Sequence, residues 1–161
     1  MNKSKYKIAC MCILGISLFG AMAYRKYEQQ KKRKLQSPSI FELGFHIFNK
    51  WMKLKHEGKS LQKYFDDNRI KTVAVYGLGA LGTRLYEDLS KLDVQVAYAI
   101  DRNAANIQID GLKIVTLEEE LEKVDAIIVT PIQFFYEIEA DLEKKSKADI
   151  ISLEDIVEYC I

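Results

Sequence analysis

Three glycines and one acid are the residues of this chain best spaced for chemistry. Gly77, Gly79 and Gly82 form the run Gly77-Leu78-Gly79-Ala80-Leu81-Gly82, directly after the apolar stretch Thr72-Val73-Ala74-Val75-Tyr76. A second apolar stretch, Val94-Gln95-Val96-Ala97-Tyr98-Ala99-Ile100, ends on Asp101, 19 positions beyond Gly82. Glycines recur by chance, so the spacing Gly-x-Gly-x-x-Gly is weak alone; a strand before it, a helix after it and an acid about 20 residues on give it meaning. The chemistry is the holding of a pyrophosphate. Gly77 permits a tight turn out of the strand, Gly79 removes the side chain that would block a phosphate, and Gly82 lets the helix approach the sheet. Backbone N–H groups of the first helical turn then face the phosphates, aided by the helix dipole. Asp101 is placed to accept hydrogen bonds from a ribose hydroxyl pair, while Arg102 beside it suits a 2′-phosphate, so NAD and NADP both remain open. A bland alternative stands beside this: a tight turn needs glycines anyway, and Asp101 can simply cap the next turn.

The elements that must position these groups are legible in the periodicity. Leu81, Leu85, Leu89 and Leu92 recur at helical spacing, with Arg84, Glu87, Asp88 and Lys91 between them. Downstream, Lys113-Ile114-Val115 reads as a short strand, Leu117 to Lys123 as an acidic helix and Asp125 to Thr130 as a buried strand. Pro131 is placed to open a helix whose buried stripe is Ile132, Phe135, Ile138 and Leu142. Ile150 to Leu153 is the last strand and Glu154 to Tyr159 a closing helix. The expected fold class is α/β: a compact, doubly wound parallel sheet of about five strands, ordered 3-2-1-4-5, over residues 70–161. Ligands gather at the carboxyl ends of such strands, which adds Thr130 to the candidate binding set of Gly77, Leu78, Gly79, Ala80, Leu81, Gly82, Asp101 and Arg102. Thr130 can equally cap the helix that follows it.

The other end of the chain suits a different solvent. After a short basic tail, residues 1–7, the run Ile8–Tyr24 is 17 residues without a charge, at the short end of what spans a bilayer. Arg25, Lys26, Lys31, Lys32, Arg33 and Lys34 follow it, against Lys3, Lys5 and Lys7 before it. That asymmetry favours a single-pass anchor with the C-terminal domain on the cytoplasmic side. A cleaved signal peptide ending near Ala21-Met22-Ala23 is the rival, opposed by the cations that follow. Residues 25–69 read as a basic and helical connector. In it Ile40, Phe41, Phe45, Phe48, Trp51, Met52 and Leu54 recur at helical spacing. This helix is expected to pack on the sheet or on a second copy; if the stripe stays exposed, it is instead a docking helix for a partner, through Phe45–Trp51, or for a membrane surface.

Composition narrows the classes further. The chain has 161 residues, 48% hydrophobic, with 24 basic and 23 acidic side chains and a net charge of +1. Basic residues dominate the first 34 positions and acidic ones the region after Leu117, a polarity that suits an anionic leaflet and gives no basic nucleic-acid face. Cys10 and Cys12 fall in the apolar run and Cys160 near the C-terminus, so neither a disulfide framework nor a metal-ligand spacing exists. His46 and His56 lie in the connector, away from the strand ends, and there is no Walker lysine, nucleophile elbow or Tyr-x-x-x-Lys pair. No catalytic residue is expected.

The runs Val75–Gly82, Ala99-Ile100-Asp101, Ile127–Thr130 and Ile151-Ser152-Leu153 together resemble the small NAD(P)-binding Rossmann modules of bacterial surface-polysaccharide proteins. These include the nucleotide-binding parts of nucleoside-diphosphate-sugar dehydratases and sugar acyltransferases. The resemblance covers about the last 90 residues. It implies NAD, NADP or a nucleotide-sugar as ligand, no metal, and an accessory role in cell-surface polysaccharide assembly at a bacterial membrane. No appended catalytic domain accompanies the module, so a binding role is expected ahead of turnover. A ligand-free interaction scaffold and an oxidoreductase completed by a partner protein are the other readings.

Overall fold

The computed structural model describes residues 39–161. The apolar run Ile8–Tyr24 and the basic run after it lie outside the described residues. Among the described residues, no helix is long and apolar enough to cross a membrane.

The elements in chain order are α1 (Ile40–His56), α2 (Gln62–Asn68), β1 (Thr72–Tyr76), α3 (Ala80–Leu89), β2 (Gln95–Ile100), β3 (Ile114–Val115), β4 (Ala126–Val129), α4 (Phe135–Leu142), β5 (Asp149–Ser152) and α5 (Leu153–Cys160). The strands form one sheet in the order β3-β2-β1-β4-β5, every neighbouring pair parallel. This is the expected order, and the strand sequences explain it. Val73 through Tyr76 and Ala126 through Val129 are buried without alternation, because helices or loops cover both faces of a parallel sheet.

Strand pleating sends Val73, Val75, Ala99, Ala126 and Ile128 to one face, where Ile47 and Trp51 of α1, Phe65 of α2, Leu85 and Leu89 of α3 and Ile156 of α5 close the core. Ala74, Tyr76, Tyr98, Ile100, Ile127 and Val129 point to the other, under Ile138 and Leu142 of α4. From β1 the strand order runs outward in both directions. One crossover hand therefore requires α3 and α4 on opposite faces, as observed.

Three expectations need correction. Leu117 to Lys123 is not a helix but a turn followed by irregular chain. Its i, i+4, i+7 apolar pattern, Leu117, Leu121 and Val124, is real, yet all three side chains pack on the second face of the sheet from a non-helical path. Long-range bonds hold that path: the Tyr98 hydroxyl donates to the Glu122 carbonyl at 2.9 Å, and Lys113 pairs with Glu122 at 2.5 Å. The Thr116 N–H donates to Glu119 Oε1 at 2.7 Å, which is half of a capping box with no helix behind it. Pro131 does not open α4 either. With φ −76° and ψ 69°, and Ile132 N–H donating to the Thr130 carbonyl at 2.9 Å, it centres an inverse γ-turn, and a 3₁₀ turn over Ile132–Phe134 precedes α4. Finally, α1 and α2, assigned above to the connector, belong to the compact unit, because Ile47, Trp51, Leu54 and Phe65 complete the core.

Asp88 locks α1 to α3. Its nearly buried carboxylate accepts the Trp51 indole N–H at 3.1 Å and pairs with Lys55. Substituting Asp88→Ala leaves the buried indole N–H without an acceptor, and is expected to lower unfolding free energy by roughly 2 kcal/mol in urea titrations, with Asp88→Asn losing less. A second clamp joins the strand starts. Asp125 Oδ2 accepts from the N–H groups of Lys71 and Thr72 at 2.9 and 2.7 Å and from the Thr72 hydroxyl at 2.9 Å. These bonds hold the Asp125 carboxyl below the ordinary carboxylate range. The stabilisation it brings is complete above the unfolded pKa and fades as pH falls through the folded one, so the wild-type urea midpoint should drop between neutral pH and about pH 3 more than that of Asp125→Asn.

Candidate dinucleotide site

The site is the turn from β1 into α3, and its glycines are explained by different neighbours. Gly77 has φ +87°, a left-handed conformation, and a Cβ there would stand 2.9 Å from the Pro131 ring. Gly82 lies against the backbone of Gly77: its Cβ would come within 1.8 Å of the Gly77 carbonyl oxygen, which no side chain survives. Both glycines are demanded by the protein itself. Gly79 is not, because its φ of −69° and ψ of −165° suit any residue and its Cβ would meet nothing within 4 Å. The open space lies beside the N-terminus of α3, where Gly79 is the N-cap and contributes no capping side chain. The orphan N–H groups of the first turn and the positive end of the dipole thus face an approach that Gly79 leaves clear.

Two side chains from neighbouring strand ends fix this loop. Thr130, at the end of β4 and buried, donates its hydroxyl to the Gly77 carbonyl at 2.8 Å and lies 3.2 Å from the Tyr76 carbonyl, while its N–H donates to Tyr76 at 3.0 Å. Its hydroxyl is therefore spent on the loop backbone. Asp101, at the end of β2, accepts the Leu78 N–H on Oδ2 at 2.7 Å and the Asn103 N–H on Oδ1 at 2.8 Å. The second of these bonds is the turn cap expected of Asp101, and the first ties β2 to the glycine loop. Each oxygen keeps a second lone pair for a hydroxyl donor. Inside the loop, the Thr83 N–H closes the first helical bond on the Gly79 carbonyl at 3.0 Å, and the Thr83 hydroxyl reaches Leu78 at 3.3 Å.

The expected residues come together unevenly. Gly77, Gly79, Gly82, Asp101 and Thr130 share one constellation at the carboxyl ends of β1, β2 and β4, and Leu78, Ala80 and Leu81 take part through their backbone. The Leu78 side chain is buried in the core. Arg102 is exposed. Asn103 was missed by sequence reading, although the order Asp101-Arg102-Asn103 carries the signal of an Asx turn. His46 and His56 both stand exposed on α1, and His56 Nδ1 lies 2.9 Å from the Met52 carbonyl of the same helix. No cluster of histidine, cysteine or carboxylate side chains suited to a metal occurs among the described residues.

Comparison with known proteins agrees with this geometry. The family model for the D-isomer specific 2-hydroxyacid dehydrogenase, NAD binding domain, matches residues 43–132. No curated protein and no solved structure matches the chain. The matched stretch is more than half of the 161 residues and runs from within α1, through the glycine turn and Asp101, to the γ-turn after β4. With its parallel five-stranded sheet, the chain has an NAD(P)-binding Rossmann fold and belongs to the family of NAD-binding domains of D-isomer specific 2-hydroxyacid dehydrogenases.

Proposed function

We propose that this protein is a membrane-anchored module that binds NAD through the β1–α3 glycine turn and Asp101. The observation that carries the binding reading is Gly79. Its two companion glycines are required by backbone geometry and contact, whereas the side chain missing at Gly79 leaves only an open path to the first turn of α3. A pyrophosphate is the group that uses such a path. Asp101 makes the choice between cofactors: its carboxylate is aimed by two backbone N–H groups, accepts well from a ribose diol and repels a 2′-phosphate, so NAD is favoured over NADP. Anchoring rests on the uncharged run Ile8–Tyr24 and the cations after it, which together give a single span with the domain on the cytoplasmic side. An accessory role in bacterial surface-polysaccharide assembly, with a nucleotide-sugar as the competing ligand, is supported by the sequence resemblance alone. A second reading, an oxidoreductase whose acid–base groups come from a partner, is favoured by the dehydrogenase family to which the domain belongs.

Two substitutions in one motif separate ligand binding from folding. Gly79→Val should leave unfolding free energy within about 1 kcal/mol of wild type, since it projects into open space, and yet weaken NAD at least about tenfold by calorimetry. Gly82→Ala should instead destabilise the fold by about 3 kcal/mol. NAD at 100 times its Kd should stabilise the wild-type fold by about 2.7 kcal/mol, seen as a raised Tm. Silence toward NAD, NADP and nucleotide-sugars alike would overturn the reading in favour of a ligand-free scaffold. Asp101→Ser should narrow the preference for NAD over NADP by about tenfold or more, and an unchanged ratio would remove Asp101 from the discriminating role.

A further inference from the structure

We propose that the exposed aromatic face at the start of α1 lies in the headgroup region of an anionic membrane. α1 is two-sided in a way its sequence did not resolve. Ile47, Trp51 and Leu54 are buried against the sheet, while Ile40, Phe41, Phe45 and Phe48 remain 59%, 78%, 56% and 37% exposed. Phe41 and Phe45 stack on each other, with ring centroids 6.2 Å apart and planes 10° from parallel. With Leu81 and Arg84 they border an apolar groove of about 540 Å³ between α1 and α3. Contiguous exposed apolar surface of this kind marks an interaction site.

The chain before it says which surroundings cover this face. This inference rests on the anchor proposed above. Residues 1–38 hold the 17-residue uncharged run Ile8–Tyr24, then six cations from Arg25 to Lys34, and the aromatic face begins six residues later at Ile40. A groove of 540 Å³ has room for a few side chains, not for a 17-residue run that is apolar all round. The run therefore takes a bilayer, and the cations take its anionic headgroups. Six residues reach at most about 20 Å, so Ile40 is held near the surface where those headgroups lie. Aromatic side chains beside a basic flank are the composition of an interfacial helix. A second copy of the chain would cover the same side chains, but its groove is no larger and cannot take the run Ile8–Tyr24.

The test uses the full chain with Cys10→Ala and Cys12→Ala, Cys160 being buried and unreactive toward label. An environment-sensitive fluorophore is attached at Phe45→Cys, at Phe41→Cys, or at Tyr136→Cys as control, since Tyr136 is 82% exposed on α4 over the opposite face of the sheet. Each protein is added to phosphatidylcholine–phosphatidylglycerol vesicles whose acyl chains carry bromine, and flotation after alkaline carbonate reports the anchor separately. Quenching at positions 45 and 41 at least threefold above that at 136 is the expected result. Equal quenching at all three positions in a chain that floats overturns the interfacial face and leaves the anchor standing. A blue shift at position 45 without bromine quenching also overturns it, assigning the face to a second copy or another protein. If the chain does not float, the anchor falls, and quenching at 45 still decides the face by the same comparison.

Discussion

The contact on which this molecule depends is between two pieces of backbone. The Gly77 carbonyl lies so close to Gly82 that a Cβ there would stand 1.8 Å from its oxygen. That approach lets a helix start almost directly above the end of the central strand, with one residue of positive φ making the corner. The same carbonyl accepts the Thr130 hydroxyl, so the turn is bound to the end of β4 as tightly as to α3. Asp101 completes the arrangement from β2 through the Leu78 N–H. Three adjacent strand ends are thereby tied to one loop, and the orphan N–H groups of α3 acquire a fixed direction.

Packing supplies the rigidity such a site needs. β1 is buried on both faces, and α3 is pressed onto it by Leu85 and Leu89 and held to α1 through Asp88, Trp51 and Lys55. The last turn of α3 is thereby held by a nearly buried hydrogen-bond network, and its first turn by the contact of Gly82 with the Gly77 carbonyl. Against this background Gly79 stands out as the position where the protein has no use of its own for a missing side chain. On the function proposed above, the donor cluster, the aimed carboxylate and the clear path between them are a site organised before any ligand arrives. Neither histidine stands at the strand ends; both are exposed on α1.

Much of this was readable in the sequence because it is local or periodic. The β-branched run 72–76, the glycine spacing, the leucines of α3 and the acid at 101 are short-range signals, and they give the strand order and the turn. What could not be read depends on distant partners. Leu117, Leu121 and Val124 have helical spacing, and only Tyr98 and Lys113, which hold Glu122 from β2 and from just before β3, show why the segment is not a helix. Thr130 looked like a residue facing a ligand, since its position at a strand end is visible but the carbonyl that takes its hydroxyl is 53 residues away in sequence. The aromatic stripe of α1 was legible as a stripe. Its division into a buried and an exposed side required knowing which part of the helix rests on the sheet.

Titrating NAD into the ¹⁵N-labelled protein and following backbone amide resonances decides whether the open approach at Gly79 takes a pyrophosphate beside Asp101. Saturable shifts are expected at Gly79, Ala80, Leu81 and Gly82, with Leu78 and Asn103 responding through Asp101 and the exposed start of α1 unmoved. Shifts that fail to saturate, or that gather along α1 instead of the first turn of α3, would contradict the proposed site.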